Sequence, residues 1–254
     1  MFYIKNILLL FTFIICNSYA SNSQNITNKP FKEGENLKYE MSYGWITGGI
    51  ASLDLSKVDY KGKKVFFVKA LGKTTGIANS IYNVKDYYES YFDIITGKPY
   101  KSKMSLKEGK YRNYNEVFYN HSNNTVYSLK SGQHNVNENI FDIISAFYHL
   151  RESLNNLNID DIVTIHTYFH DEPWDLVVRF KGYETIKIGL GKINCMKFKP
   201  VVEKGTFEDE NALDIWISND KNRIPVRVKM KFFVGSFKTD LIEYSGLVNE
   251  INFQ

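Results

Sequence analysis

Residues 34–56 read GENLKYEMSYGWITGGIASLDLS, and this stretch indicates the fold. Apolar and polar side chains alternate in two runs, with the apolar positions at Leu37, Tyr39, Met41 and Tyr43, and then at Ala51, Leu53 and Leu55. A period of two is typical of β-strands with one buried face. Gly48 and Gly49 between the runs permit a bend or bulge. The stretch therefore predicts two neighbouring antiparallel strands.

Similar short segments fill most of the remaining chain and are separated by turn residues such as Lys61-Gly62-Lys63 and Thr96-Gly97-Lys98-Pro99. Strands are predicted at residues 65–71, 84–94, 100–106, 112–119, 125–129, 162–169, 176–180, 185–188, 193–201, 213–217, 226–234 and 237–244. The 18 Tyr and 18 Phe favour aromatic pairs across strands. The total is about fourteen strands.

One segment has a helical period instead. Its apolar residues recur at three and four residue spacing, at Ile140, Ile143, Ile144, Phe147, Leu150 and Leu154. Asp142 lies near the start and Arg151 near the end, where each charge suits the helix dipole. This segment predicts one main amphipathic helix.

These elements predict a mainly β fold, because about fourteen antiparallel strands in one flat open sheet would twist and expose their edges. We expect a strongly curved antiparallel sheet or half-open barrel, with the helix lying across the concave side. A β-sandwich is the alternative. No interruption marks a second domain, so residues 31–254 are expected to form a single domain.

The first residues resemble an export signal. Lys5 precedes an apolar run over residues 7–15, and Ser18 and Ala20 are small residues around a cleavage site. We expect a signal peptide at 1–20, a disordered leader at 21–30 and no transmembrane span after processing, because the apolar run is shorter than the roughly 20 residues a span needs. Lipidation at Cys16 is the weaker alternative, since Ile15 before it is not small.

Charge and cysteine content narrow the possibilities further. Lys and Arg number 32 against 28 Asp and Glu, a balance that demands no nucleic-acid partner. After cleavage Cys195 is the remaining cysteine of the two, so no intrachain disulfide is expected. Its alternating neighbours predict a buried thiol in a core strand.

A group of metal-binding residue types occurs in residues 166–172, at His166, His170, Asp171 and Glu172. Residues four apart on a strand are about 13 Å from each other, which is too far for two ligands of one metal. We interpret Asp171-Glu172-Pro173 as a hairpin turn, and predict no metal, no cofactor and no catalytic residue. Arg227, Lys229 and Lys231 form a basic row, interpreted as a solvated face, with contact to anionic lipid as the alternative.

The order and spacing of weaker motifs carry a family resemblance. They are Gly34-Glu35-x-Leu37-x-Tyr39, Tyr43-Gly44-Trp45-Ile46, Asp86-Tyr87-Tyr88-Glu89-Ser90, the segment from Asp142 to Arg151, Gly182-Tyr183-Glu184, the segment from Gly191 to Cys195, and Trp216 to Val226. Together they resemble the exported bacterial family known as domain of unknown function 3108, which implies no activity. At the level of the fold, the chain is also similar to half-barrel carriers of lipoproteins in the periplasm, in which a helix closes an apolar hollow.

This resemblance favours a non-catalytic periplasmic binding or carrier protein for a lipid, an acyl chain or an apolar peptide. The apolar candidates for the binding site are Tyr39, Tyr43, Trp45, Phe147 and Trp216. An enzyme built on the polar candidates Asp86, Glu89 and Arg151 or on the histidine cluster is the alternative, and a scaffold or adaptor with an envelope protein partner is the third possibility. The expected location is the periplasm or the outer-membrane periphery of a Gram-negative bacterium.

Overall fold

The computed structural model describes residues 29–201, 213–231 and 235–254. The predicted signal peptide, Cys16 and leader residues 21–28 lie outside the described residues. The strands of the first half are β1 (Asn36–Tyr43), β2 (Ile46–Tyr60), β3 (Lys63–Thr74), β4 (Lys85–Asp93), β5 (Pro99–Glu108), β6 (Tyr111–Asn120), β7 (Thr125–Ser128) and β8 (Gly132–Asn135). Those of the second half are β9 (Ile162–Phe169), β10 (Glu172–Ile188), β11 (Gly191–Pro200), β12 (Leu213–Ser218), β13 (Pro225–Lys231) and β14 (Ser236–Ser245). The helices are α1 (Gly76–Ile81) and α2 (Ile143–Ser153).

All fourteen strands belong to one antiparallel sheet, in the order β8-β7-β6-β5-β4-β3-β2-β1-β14-β13-β12-β11-β10-β9. The first strand lies in the middle of the sheet, where Asn36 pairs with Ser245 and Tyr43 with Phe237. Two meanders extend from this middle ladder and end at β8 and β9. The prediction of a curved, open antiparallel sheet is confirmed, and the alternative of two stacked sheets is wrong.

Side chains, rather than a backbone ladder, connect the two ends of the sheet. Asp171, in the tight turn between β9 and β10, accepts hydrogen bonds from Asn115 Nδ2 on β6 at 2.9 Å and from Ser128 Oγ on β7 at 2.5 Å. Ser131 Oγ donates a third at 3.1 Å. The sheet must therefore curl until its end strands approach each other. We call this line of approach the seam.

Helix α2 lies inside the curl and fills it. Its N-cap residue Asp142 accepts hydrogen bonds from the backbone N–H groups of Ile144 and Ser145, which stabilises the first turn. Ser90 Oγ of β4 donates to the same carboxylate at 2.6 Å and so attaches the helix to the first half of the sheet. Just before the helix, Phe141 pairs with the edge of β9, its N–H donating to His166 O and its O accepting from Tyr168 N, both at 2.8 Å.

The core consists of apolar clusters on both sides of α2. One contains Ala146 and Leu150 with residues of β9 to β12, and another contains Tyr148 with Phe31, Phe66 and Phe92. A further cluster under β1, β10 and β14 includes Leu37, Tyr39, Trp216 and Leu241. Because residues from several faces of α2 are buried, the helix is core and not only a cover.

Three elements differ from the sequence-based prediction. Residues 176–180 and 185–188, predicted as two strands, form the single strand β10, whose pairing with β11 shifts at a bulge between Phe180 and Tyr183. Strand β8 and helix α1 were not predicted. Among the described residues, neither helix has the length and apolar character required to cross a bilayer.

Candidate functional site

The structure separates the five apolar residues that the sequence suggested as a binding site. Tyr39 is buried and donates a hydrogen bond to Pro225 O at 3.2 Å, and burial raises its pKa. Trp216 is buried and donates to Glu184 Oε2 at 3.1 Å. Phe147 is half-buried on α2, with its ring 5.4 Å from that of Tyr148. These three residues are held by protein contacts.

Tyr43 and Trp45 instead lie at the tip of the hairpin between β1 and β2. Trp45 is 92% exposed, and Tyr43 is about half exposed. The five predicted residues therefore do not line one hollow. One of them, Trp45, belongs to a different surface, described below.

The three polar candidates also lie apart. Asp86 and Glu89 are three residues apart on β4, so they point to opposite faces of the sheet. Asp86 Oδ1 accepts from the backbone N–H of Lys107 at 2.9 Å, and Glu89 pairs with Lys103 at 3.4 Å. Arg151 is on α2 in the interior. No single reaction centre contains all three.

Arg151 is the most highly connected buried cation of the described chain. Its guanidinium donates to both carboxylate oxygens of Glu35, at 2.6 and 2.8 Å, and both side chains are 0% exposed. Further hydrogen bonds run to Pro30 O at 3.0 Å and to Asn222 O at 3.2 and 2.8 Å. Burial acts to lower the pKa of Arg151, but the hydrogen bonds and the charge of Glu35 raise it. Arg151 therefore joins α2, the start of the first strand and the β12–β13 turn.

A cleft of about 40 Å³ lies at the seam, between β4 to β6, the start of α2 and the β9–β10 turn. This is room for a few water molecules and too little for an acyl chain. Its lining includes apolar Ile143, Ile144 and Val117 and the polar groups Glu89, Asp142 and Asp171.

The carboxylates of this seam cleft are engaged by protein donors. Burial raises the pKa of Asp142, and hydrogen bonds from Ser90 and Ser145 oppose this rise. Asp142 is also the N-cap residue of α2, so its carboxylate is engaged at the start of the helix. Burial would also raise the pKa of Asp171, but the hydrogen bonds from Ser128, Ser131 and Asn115 outweigh it and lower that pKa. The carboxylates of the seam cleft therefore hold α2 and the two ends of the sheet in place.

The histidine cluster is spread along a hairpin. His166 Nδ1 contacts Asp175 Oδ1 at 2.8 Å across the β9–β10 ladder, while His170 and Asp171 form the turn, both with positive φ. The predicted turn therefore begins at His170, one residue earlier than expected. Within the described ranges, no group of three or more His, Cys, Asp or Glu side chains is placed to hold a metal ion.

Two further sequence interpretations concern Cys195 and the basic row. Cys195 is buried in the core as predicted, and burial raises its pKa to about 12. In the basic row, Arg227 forms a bidentate pair with Asp240 at 2.5 and 2.7 Å. Lys231 lies 3.9 Å from Asp214. These acidic neighbours favour the interpretation of the row as a solvated face.

A hollow larger than the seam cleft is lined by charged as well as apolar residues. It has a volume of about 500 Å³ and lies at the end of the sheet that carries the β4–β5 and β12–β13 turns. Lys29, Lys221, Arg223 and Glu152 are among its lining residues. Lys29 and Pro30, the last residues of the predicted leader, are held here, with Lys29 Nζ 2.6 Å from Glu152 and Pro30 O bonded to Arg151. Charged groups make this hollow unsuitable for an acyl chain.

The opposite end of the sheet carries an exposed apolar surface, which we call the apolar platform. It consists of Trp45, Ile46, Ile77, Ile81 and Tyr82. Ile77 and Ile81 are 76% and 80% exposed, and no residue of α1 is buried. Exposed apolar side chains grouped at one end of a protein are a common feature of interaction sites.

Sequence reasoning found only one part of this platform. Trp45 is among the residues that the sequence predicts for a binding site, but that site was expected inside the curl. Ile77 and Ile81 are spaced as i and i+4, which was the available signal for a short apolar helix face. Because α1 has only six residues, its pattern was not distinguishable from a loop.

The fold and these surfaces define a class, namely half-open antiparallel β-proteins whose curl is filled by one helix. Within this class the chain belongs to the family described as "Protein of unknown function (DUF3108)", whose pattern matches residues 38–242. The resemblance seen in the sequence motifs is thereby confirmed. A comparison with curated proteins gives no match.

One solved structure shows the same general architecture. The chain is similar to a β-barrel-like protein of the domain of unknown function DUF1849 from Brucella abortus, with 7% identity, a TM-score of 0.56 and coverage of 86% of this chain and 99% of that one. A DUF1089 family protein from Pseudomonas aeruginosa shares 9% identity over 79% of this chain and 92% of its own, with a TM-score of 0.41. The first likeness supports the fold alone, and the second is too distant to add to it.

Proposed function

We propose that this protein is a non-catalytic binding protein of the cell envelope that engages a lipid, an acyl chain or an apolar peptide through its apolar platform. The observation that carries the proposal is the exposure of Trp45, Ile77 and Ile81 together at one end of the sheet. Export to the periplasm or the outer-membrane periphery of a Gram-negative bacterium is part of the proposal, and the signal-like residues 1–20 support it.

The filled interior supports a surface site in preference to an internal one. Tyr148, Phe92 and Leu37 are fully buried, and the seam cleft has only about 40 Å³. A ligand inside the curl would have to displace these side chains. A ligand on the platform would displace only water, which favours the platform energetically.

The expected binding strength follows from the area. Covering roughly 300 Å² of apolar surface, a common size for such a patch, contributes about 7.5 kcal/mol at about 25 cal/mol per Å², before the cost of association. That cost is at least about 4 kcal/mol. The binding is therefore expected to be reversible, as a carrier or docking protein requires.

The same observations disfavour an enzyme. Catalysis by general acid or base needs a group that can reach a substrate with a proton to give or take. Asp142 and Asp171 are instead occupied by hydrogen bonds that hold the helix and the seam, and Glu89 is paired with Lys103. A scaffold or adaptor would use the same platform with a protein partner.

The test is native mass spectrometry of protein purified from its own envelope, followed by titration with the fluorescent fatty acid cis-parinaric acid. We expect a co-purifying lipid or apolar peptide, and probe binding that Trp45→Ala and Ile81→Ser weaken. Ile95→Ala is the matched control, because Ile95 is 68% exposed at the opposite end of the sheet. Loss of binding to the same degree in this control, or no bound ligand and no probe binding, would contradict the proposal.

A further inference from the structure

We infer that the partner of the apolar platform is the surface of an anionic lipid bilayer, with Trp45 at the level of the headgroups. This inference rests on the proposed function and names the ligand class for the same surface. It is drawn from the position of the platform, its continuity and the charges around it.

The platform is assembled from successive hairpins at one end of the sheet. In an antiparallel meander, the β1–β2, β3–β4 and β5–β6 connections lie at the same end. Trp45 and Ile46 are in the first connection, and α1 forms the second. The third is the turn at Gly109 and Lys110, which places a cation beside the apolar residues.

Direct contacts make these three connections one surface. The backbone N–H of Thr75 donates to Gly48 O at 3.0 Å, and a Cβ atom at Gly48 would be 3.8 Å from Cβ of Ala78. Helix α1 therefore packs on the start of β2. At its other end, the ring of Tyr82 lies so close to Gly109 that a Cβ atom there would be 2.7 Å from it. The hairpin tip, α1 and the β5–β6 turn are thus held in fixed relative positions.

The charges around the platform are mainly positive. The cations of these strand ends are Lys73, Lys85, Lys107, Lys110 and Arg112, and the carboxylates are Asp86 and Glu108. Lys73 and Lys85 are direct partners across the β3–β4 ladder, an arrangement of like charges that an anionic surface would relieve. Asp86 is already bonded to a backbone N–H. The rim therefore complements negative headgroups.

The shape distinguishes a bilayer from a free acyl chain. Small apolar ligands bind in concave sites that cover most of their surface. Trp45, Ile77 and Ile81 are each more than three quarters exposed, so they project from the protein and do not enclose anything. Projecting Trp and Ile side chains with Lys and Arg behind them are typical of proteins that lie on a membrane interface.

The test is flotation of the purified protein with vesicles of phosphatidylcholine alone, or of phosphatidylcholine mixed with phosphatidylglycerol. We expect binding to the anionic vesicles that falls as salt is raised. Trp45→Ala should weaken vesicle binding roughly tenfold. Lys110→Glu should weaken it at least fivefold, which is about the contribution of one cation near an anionic membrane surface. Ile95→Ala and Lys221→Glu, at the opposite end, should bind like the parent protein.

Brominated lipid supplies a direct readout of depth. Bromine atoms on the lipid quench the fluorescence of nearby tryptophans. Because the chain has 3 Trp, the quenching of Trp45 fluorescence is measured as the part of the quenching that is lost in Trp45→Phe. We expect most of the quenching to be lost in this variant. Since Trp45 and Lys110 are exposed, circular dichroism and urea unfolding should show that the variants fold normally.

Specific outcomes would overturn the inference. They are absence of flotation by the parent protein, equal binding to neutral and anionic vesicles, equal losses in the Ile95→Ala control, or quenching unchanged in Trp45→Phe. If vesicles do not bind but cis-parinaric acid binds in a platform-dependent manner, the bilayer inference fails and the proposed function stands. If neither binds and no lipid or apolar peptide co-purifies with the protein, both fail.

Discussion

Substitution of Arg151 is the sharpest test of how this fold is held together. Arg151→Met removes the guanidinium but keeps an apolar stem of similar length, so the packing against Tyr148 changes little. The change leaves the Glu35 carboxylate without its partner in a site with 0% exposure. It also removes the donors to Pro30 O and Asn222 O.

The expected loss can be estimated from these contacts. Removal of one partner of a buried ion pair costs about 3–5 kcal/mol, and each stranded carbonyl adds about 1–3 kcal/mol unless water reaches it. We expect Arg151→Met to lower the free energy of unfolding by about 5 kcal/mol. A domain of ordinary stability has roughly 5–15 kcal/mol, so this single change should leave the protein marginally folded.

Urea unfolding of the single and double variants measures this loss. Arg151→Met with Glu35→Leu removes the stranded charge but leaves both carbonyls, so we expect it to lose only about 2–3 kcal/mol. A loss under about 1 kcal/mol in the single variant, or a double variant less stable than the single one, would refute the reasoning.

Three further predictions concern α2, the seam and the buried thiol. Phe147→Ala should cost about 2 kcal/mol in urea unfolding, less than the roughly 3–5 kcal/mol expected for fully buried Phe92→Ala, because Phe147 is only half-buried. It should leave cis-parinaric acid binding unchanged; loss of binding would place the ligand inside the curl. Because hydrogen bonds lower the pKa of Asp171, its contribution is present above the ordinary carboxyl value of about 4 and is lost as pH falls through the lowered value. Asp171→Asn should speed amide hydrogen exchange in β7 at neutral pH, and exchange equal to that of the parent protein would contradict this role. In a Cys16→Ser variant, Cys195, whose pKa burial raises to about 12, should react with Ellman's reagent at pH 8 only on unfolding; stoichiometric reaction of this native protein would contradict the burial of Cys195.

The strands were predictable because one face of the strand is buried and the other is more exposed to solvent. Leu37, Tyr39 and Leu55 are buried while their neighbours are not, and this difference is written in the sequence as a period of two. Strand β8, GQHN, has no apolar residue and forms only because β7 pairs with it. A strand specified by its neighbour carries no signal of its own.

The buried ion pair and the apolar platform were less predictable, because their residues are distant in sequence and come together only in the folded chain. Arg151 looked like a charge at the end of a helix, suited to the dipole. Its partner Glu35 is 116 residues away in sequence, and no local pattern reports such a pair. Likewise, Trp45 was recognisable as a large apolar residue, but its position outside the curl is set by the turn between β1 and β2 in which it lies.

The pairing of β1 with β14 has a consequence for the order of folding. The hairpins within each meander join residues close in sequence and can form quickly, whereas the middle ladder joins Asn36 to Ser245 and must wait for both. Until β14 pairs with it, β1 has unpaired backbone N–H and C=O groups along the edge that faces away from β2. Such exposed edges pair readily with other chains. We therefore expect completion of this ladder to be the slow step, and the incomplete chain to be the species that aggregates or needs a chaperone.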